Sequence, residues 1–181
     1  MLKAKDLRDK NYLLKISNKK PGYYKWWANK EQLELILKEL DEKLENIESY
    51  IEKKDNKYCI YVGIAVRESI RARLNWHIND KHSDTRVKTG TLSTLRNSIA
   101  SIVSHNVYDK EATNKFIDLL EIEYYESYYP IKSDNAKQEL HNKERDLLSK
   151  NLYILNIQEN KFIYALPIKK KLRRLRKISK T

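Results

Sequence analysis

Alternating stretches of hydrophobic and polar residues divide the chain into short strands and longer helices. The Pro21-Gly22 turn signal precedes residues 23–27, whose aromatic composition is typical of a first β-strand. From residue 30 the spacing changes to alternating four- and three-residue steps, which predicts one amphipathic helix over residues 30–54. Its apolar seam consists of Leu33, Leu37, Leu40, Leu44, Ile47 and Ile51. We expect this seam to pack on the domain, and a coiled coil with a partner helix is the alternative.

The remaining pattern continues the alternation of strands and helices. The predicted elements are a strand at 58–63, a helix at 68–79, a polar loop at 80–90, a helix capped by Thr91 or Ser93, a strand within 116–129, a helix at 135–150 and a short apolar segment at 153–157. Within residues 116–129 the pattern leaves helix and strand open. The pattern predicts an α/β fold with a small central mixed or antiparallel sheet flanked by helices.

The length of the chain is sufficient for one domain with a core. We divide it into a basic N-terminal arm over residues 1–20, a core over residues 21–158 with a helical insertion at 30–54, and a basic C-terminal extension over residues 159–181. The extension carries eight Lys or Arg between residues 169 and 180, with apolar residues at helical spacing. A basic amphipathic helix of this kind suits a phosphate backbone, and an anionic membrane surface is the less favoured alternative.

Composition narrows the classes of partner. The chain has 37 Lys and Arg against 25 Asp and Glu, a formal net charge of +12, which favours a polyanion such as nucleic acid. Cys59 is the only cysteine, which excludes an intrachain disulfide and a cysteine-cluster metal site, and its strand setting predicts a core thiol. No apolar run is long enough for a membrane span, and the N-terminus is charged. We therefore expect a cytoplasmic protein with no membrane partner.

Two tyrosine-and-glycine motifs precede a helix that carries arginines and a histidine. Gly22-Tyr23-Tyr24 and Tyr61-Val62-Gly63 are followed by residues 70–77, with the sequence Ile-Arg-Ala-Arg-Leu-Asn-Trp-His. Farther along, Glu144 precedes Leu147-Leu148, and Asn156 ends the segment that begins at Tyr153. In this order, over most of residues 21–157, the motifs resemble those of the GIY-YIG nuclease superfamily. The resemblance implies a divalent-metal-dependent DNA endonuclease.

The resemblance also implies the residues of the active site. The catalytic set is Tyr24, Tyr61, Arg73, His77, Glu144 and Asn156, with Glu144 as the metal ligand. Arg71 is the alternative to Arg73, and Glu139 is a nearby competitor of Glu144. A single Mg²⁺ or Mn²⁺ requires few protein ligands, so that one carboxylate with water and phosphate oxygens suffices. A zinc site is not expected, because the pairing of His141 with Glu144 lacks a partner motif.

The chemistry of these residue types fits phosphodiester cleavage. The guanidinium of Arg73 suits a phosphate. A cation and an arginine nearby would lower the pKa of Tyr24, so that Tyr24 helps to deprotonate water and His77 accepts the proton. By resemblance, Tyr61 orients water or phosphate and Asn156 holds the site together by hydrogen bonds.

Basic residues outside this set are expected to bind the nucleic acid. The candidates are Arg71, Arg86, Lys88, Arg96, Lys169, Lys170, Arg173 and Arg174. Trp26, Trp27 and Trp76 are candidates for base stacking, with core packing as the alternative for at least two of them.

The biological role suggested by the sequence is that of a restriction-like or stand-alone nuclease. Cutting a palindrome would require a homodimer, for which the seam at residues 33–51 is a candidate interface. Two alternatives to an enzyme are a non-catalytic nucleic-acid-binding module that retains the fold, and a basic scaffold protein.

Overall fold

A computed structural model describes all residues from Met1 to Thr181. The strands are β1 (Leu2–Lys3), β2 (Gly22–Ala28), β3 (Lys53–Lys54), β4 (Lys57–Ala65) and β5 (Glu121–Glu126). The α-helices are α1 (Lys10–Leu13), α2 (Lys30–Glu39), α3 (Leu44–Ile47), α4 (Ile70–Asn79), α5 (Asp84–Lys88), α6 (Thr94–Val103), α7 (Lys110–Asp118), α8 (Asp134–Lys150) and α9 (Ala165–Ile178), and short 3₁₀ turns occupy Ala4–Arg8 and Glu48–Tyr50. None of the helices has the length and apolar character that a bilayer crossing requires.

The five strands form one antiparallel sheet in the order β1-β5-β2-β4-β3. Strand β2 lies at the centre, where its backbone bonds to β4 on one side and β5 on the other. The register places Tyr24 opposite Gly63 and Trp26 opposite Tyr61, and a bulge follows between Trp26 and Trp27. The predicted α/β fold with a small central sheet is confirmed, and the sheet is antiparallel throughout.

The two faces of the sheet are covered by different helices. Alternate residues of β2 point to opposite faces, so Tyr24 and Trp26 face one way and Trp27 the other. The first face joins the main core of 33 buried residues, which includes residues of α2, α4 and α6. On the second face, Trp27 belongs to a smaller cluster with Leu147 and Leu148 of α8. That cluster also contains Cys59, whose thiol is buried as predicted.

The predicted single helix over residues 30–54 is wrong in its extent. Helix α2 begins after an Asn29 capping box and ends at Glu39, with Leu40 as its C-cap, and Asp41 then adopts a left-handed conformation with φ of 47°. The chain resumes as α3, a 3₁₀ turn and β3. The hydrophobic positions were nevertheless assigned correctly, since every seam residue except the partly buried Leu44 is in the main core. A homodimer through this seam is not supported, because its side chains already pack inside the domain.

Other differences concern segments with mixed signals. Residues 116–129, for which the pattern left helix and strand open, contain the end of helix α7 followed by strand β5. The loop at residues 80–90 contains the short helix α5. Both ends of the chain join the main core: β1 pairs with β5, and Ile168 and Leu172 of α9 are buried. The basic charges of α9 are therefore held on a packed helix.

Replacement of one seam residue tests its packing role. Leu37 is 1% exposed, and we expect Leu37→Ala to lower the free energy of unfolding, measured in urea, by about 2–5 kcal/mol through cavity formation. Leu35 lies on the same helix but is 43% exposed, so Leu35→Ala is the control and should change stability by less than about 0.5 kcal/mol. Equal effects of the two substitutions would contradict the packing described.

Candidate functional site

The close contact between Tyr24 and Gly63 sets the position of the first candidate residue. A Cβ atom at position 63 would collide with the Tyr24 hydroxyl, so a glycine is needed for the tyrosine ring to cross the neighbouring strand. The ring of Tyr61 is 6.4 Å from that of Tyr24 between centroids. Both tyrosines therefore lie side by side on one face of the sheet, at the end of β4 that precedes α4.

His77 lies beneath these tyrosines and is fully buried. Its Nε2 atom is 2.6 Å from the Tyr24 hydroxyl, and its Nδ1 atom is 2.6 Å from the Ser93 hydroxyl. Burial lowers the pKa of His77 well below its usual value, and the charges of Arg73 and Arg96 lower it further. The imidazole is therefore neutral and carries one ring hydrogen.

The predicted lowering of the Tyr24 pKa does not occur in the protein by itself. Burial raises the pKa of Tyr24 well above its ordinary value and that of Tyr61 to about 12. The charge of Arg73 opposes both shifts but does not outweigh desolvation. Ionisation of either tyrosine would therefore require additional positive charge at the site.

Arg73 extends from α4 toward the same region. Its Nη2 atom is 2.7 Å from a carboxylate oxygen of Glu68, and its guanidinium lies 4.9 Å from the ring centroid of Trp76. Its Nε–H group is buried and has no hydrogen-bond partner. This donor is enclosed by the protein, but the Arg73 side chain as a whole is 25% exposed, which leaves the guanidinium accessible to an oxygen of a bound anion. Arg71, the alternative, instead donates to the backbone carbonyls of Ile16 and Leu14.

Glu144 of α8 lines a cavity of about 530 Å³, here named the central cavity, together with Tyr61 and Asn156. Its pKa is raised to about 7, first by burial and then by the charge of Glu159, while Arg73 acts in the opposite direction. No hydrogen bond contributes to this shift, so the carboxylate has no donor to compensate its charge. The competitor Glu139 lies outside this cavity and accepts a hydrogen bond from Ser127.

Asn156 connects the segment after α8 to the sheet. Its side-chain carbonyl accepts a hydrogen bond of 2.9 Å from the Val62 amide, and its side-chain amide donates one of 2.8 Å to the Val62 carbonyl. The backbone amide of Leu155 also donates to the carbonyl of Ile60. The segment, which turns at residues 154–155, is therefore attached to β4, and this brings the central cavity against Tyr61.

One predicted nucleic-acid contact is wrong. Arg96 is 0% exposed, and its guanidinium donates to the carbonyls of His77 and Ile78 and to the side chains of His82 and Asn114. It cannot reach a phosphate, because all three of its guanidinium nitrogens donate to groups inside the core.

The other predicted contacts differ in their accessibility. Arg86 forms a 2.7 Å salt bridge with the buried carboxylate of Asp80, and Lys169 donates to the carbonyl of Asn160. The exposed candidates are Lys88, Lys170, Arg173 and Arg174. Trp26 and Trp27 are buried in the core, which leaves only the partly exposed Trp76 as a candidate for stacking.

Two groups of basic residues lie beside the central cavity, and only Arg73 and Arg173 among them were predicted from the sequence. The first basic groove, of about 580 Å³, shares Ile64 and His141 with the central cavity and is lined by Arg67, Arg73, Lys132 and Lys137. The second basic groove, of about 250 Å³, shares Ile157 with it and is lined by Arg173, Arg176, Lys177 and Lys180. The spacing of Arg176 on the basic helix was visible in the sequence, but its position beside Tyr61 depends on the packing of α9.

The comparison with protein families covers most of this architecture. The family model described as the GIY-YIG catalytic domain matches residues 22–178 of the chain, from β2 to the end of α9. No curated protein and no solved structure matches the chain.

The raised pKa of Glu144 predicts a pH-dependent effect of its replacement. The carboxyl group of Glu144 binds its proton more tightly in the folded state, with a pKa of about 7, than in the unfolded state, with a pKa near 4.5. The contribution of this proton to the stability of the fold is therefore complete below about pH 4.5 and is lost as the pH rises through about 7. We therefore expect Glu144→Gln, in EDTA, to be more stable than the wild type at about pH 8 and similar to it at about pH 4. Urea unfolding at both pH values measures the difference, and a difference independent of pH would contradict the assignment.

The burial of Arg96 predicts a large structural effect. Arg96→Ala leaves several buried acceptors without donors, so we expect the free energy of unfolding to fall by at least about 3 kcal/mol. Arg174→Ala, at an exposed position of α9, is the control and should change stability by less than about 0.5 kcal/mol. Thermal or urea unfolding of the two variants decides whether Arg96 is a structural residue.

Proposed function

The chain belongs to the GIY-YIG family, and on this premise we propose that it is a divalent-metal-dependent DNA endonuclease. The nuclease domain indicates hydrolysis of nucleic-acid phosphodiester bonds. The observation that carries the finer proposal is the charge pattern of three adjoining cavities. A carboxylate with no hydrogen-bond donor, Glu144, lines the central cavity, and each of the two basic grooves shares lining residues with that cavity.

This pattern fits a nucleic-acid strand that crosses the central cavity. Lysines and arginines in the two grooves would bind phosphates on either side of the scissile bond and fix the register of the strand. At the centre, a lone carboxylate would repel a phosphate unless a cation lay between them. The arrangement therefore supports both a polyanionic substrate and a cation at Glu144.

The residues around Glu144 fit a hard divalent cation. Carboxylate oxygens are ligands that Mg²⁺ and Mn²⁺ prefer, and Mg²⁺ is commonly bound through one or two carboxylates with several waters. The structure has no cluster of three or more His, Cys, Asp or Glu side chains arranged to hold a metal ion. Glu144, whose charge lacks a hydrogen-bond donor, is thus the ligand we propose. When bound, such a cation supplies positive charge to the phosphate and to a nearby water.

The other residues have separate roles in this proposal. Arg73, which lines the first basic groove and is partly exposed, binds the scissile phosphate through its guanidinium. Tyr61, which lines the central cavity, orients the phosphate or the attacking water, and Tyr24 supports it from below. Burial lowers the pKa of His77 well below its usual value, which disfavours its expected role as a proton acceptor and favours one in holding Tyr24. Asn156 keeps the wall of the cavity against β4.

Plasmid cleavage by the purified chain tests the proposal. We expect nicking or linearisation in Mg²⁺ or Mn²⁺ and none in EDTA, and Glu144→Ala should lower the rate by at least about a hundredfold, as expected for loss of a metal ligand. Glu139→Gln is the matched control, because Glu139 is on the same helix but outside the central cavity. This variant should cut at nearly the wild-type rate.

Different results identify different functions. Retained cleavage by Glu144→Ala would overturn the role of this carboxylate. Salt-dependent DNA binding without cleavage in any metal would favour a non-catalytic binding module. Discrete fragments in place of random nicking would support the restriction-like role that we propose within this activity.

A further inference from the structure

Ser93 occupies a position between a helix terminus and the candidate site. It is the N-cap of α6, and its hydroxyl accepts a hydrogen bond from the Arg96 amide at 3.4 Å. The same oxygen lies 2.6 Å from Nδ1 of His77. Ser93 is itself held in place, because its own amide donates to the buried carboxylate of Asp80 at 3.0 Å. The side chain is fully buried, so water cannot replace either contact.

The donors and acceptors around Ser93 determine where the hydrogens lie. A serine hydroxyl has one hydrogen to donate, and the Arg96 amide, being a donor itself, cannot accept it. Nδ1 of His77 is the only acceptor in contact with the hydroxyl. The hydroxyl of Ser93 therefore donates to Nδ1. Because His77 is neutral, its single ring hydrogen is on Nε2, where it faces the Tyr24 oxygen at 2.6 Å.

We propose that Ser93 is a positioning residue that fixes the tautomer of His77 and thereby directs the hydroxyl hydrogen of Tyr24 toward the central cavity. With its oxygen accepting from Nε2, Tyr24 must donate its own hydrogen away from His77. The ring of Tyr61 lies next to that of Tyr24, with 6.4 Å between the centroids, so this hydrogen is available on the side of the site where Tyr61 lies. Tyr61 in turn lines the central cavity with Glu144.

The result is a chain of hydrogen bonds with one direction. Ser93 donates to Nδ1 of His77, and Nε2 of His77 donates to the hydroxyl of Tyr24. The hydrogen of Tyr24 is then free for Tyr61, or for a water or phosphate oxygen near the two tyrosines. With the opposite tautomer of His77, Tyr24 would donate inward to Nε2 and the site would lose this donor. The inference rests on the proposed nuclease function for its catalytic consequence, but the tautomer can be measured without any activity.

Substitutions of Ser93 separate this role from helix capping. Glycine is nearly as good an N-cap as serine whereas alanine is poor, and neither has a hydroxyl. If only capping mattered, Ser93→Gly would behave like the wild type and Ser93→Ala would not. We expect both variants to cleave about tenfold more slowly in single turnovers, with DNA binding unchanged, as for the loss of one buried hydrogen bond to a site residue. Ser93→Thr keeps the hydroxyl and should remain within about twofold of the wild type.

Ser98→Ala is the matched control for removal of a buried hydroxyl. Ser98 lies on the same helix, is fully buried, and its hydroxyl has no hydrogen-bond partner. We expect this variant to cleave at the wild-type rate. A rate loss as large as that of Ser93→Gly would show that any buried hydroxyl of α6 matters, and would overturn the specific role of Ser93.

Nitrogen-15 NMR of the full chain provides the direct readout. The His77 signals are identified by their absence in His77→Gln, and the proposal requires a protonated Nε2 and an unprotonated Nδ1 in the wild type. Ser93→Gly should move the Nδ1 signal, and Ser93→Thr should restore it. A hydrogen on Nδ1 in the wild type would overturn the proposal, as would an unchanged Nδ1 signal in Ser93→Gly. If no variant cleaves DNA, these spectra still decide the tautomer, so failure of the proposed function is distinguishable from failure of this inference.

Discussion

The antiparallel pairing of β2 with β4 is the constraint on which the candidate site depends. Its register places Tyr24 across from Gly63 and Trp26 across from Tyr61. Side chains alternate between the two faces of a strand, so a shift of either strand by one residue would move its tyrosine to the face covered by α8. The missing side chain at Gly63 makes the observed register sterically feasible, since a Cβ atom there would collide with the Tyr24 hydroxyl. The glycine at position 63 thus determines which aromatic side chains can contact His77.

Buried polar groups hold α4 and α6 in the arrangement that this register needs. Arg96 donates to the carbonyls of His77 and Ile78 at the end of α4, where the helix dipole favours a positive charge. Burial of a guanidinium without such partners would be strongly unfavourable, so these bonds make the relative position of the two helices specific. Ser93, three residues before Arg96, then contacts the ring of His77. The same interhelix contact that stabilises the fold therefore also orients a residue of the site.

The sequence predicted β2, β4, the helices α4, α6 and α8 and the hydrophobic faces because these depend on local spacing, whereas β1, β3 and α7 were not predicted. The break in the helix at Asp41 was not predicted, since the apolar steps continue past it and a left-handed residue has no signal in that pattern. Arg96 was misassigned because it is basic, although it lies four residues after Leu92 and three before Ile99, on the stripe predicted to be buried. The contact of Ser93 with His77 and the position of Arg176 beside Tyr61 come from tertiary packing, which spacing does not encode.

The electrostatic pattern of the molecule also implies an order of binding. A net charge of +12 attracts a polyanion from a distance, yet the central cavity contains a carboxylate that favours protonation near neutral pH. Burial therefore disfavours the ionised form of Glu144 in the protein alone. Under the proposed function, a cation at this carboxylate would supply the missing positive charge and favour its ionisation, whereas a phosphate that entered first would disfavour ionisation further. The basic grooves can hold the flanking phosphates before catalysis, and the scissile phosphate then binds most favourably with its cation or after it.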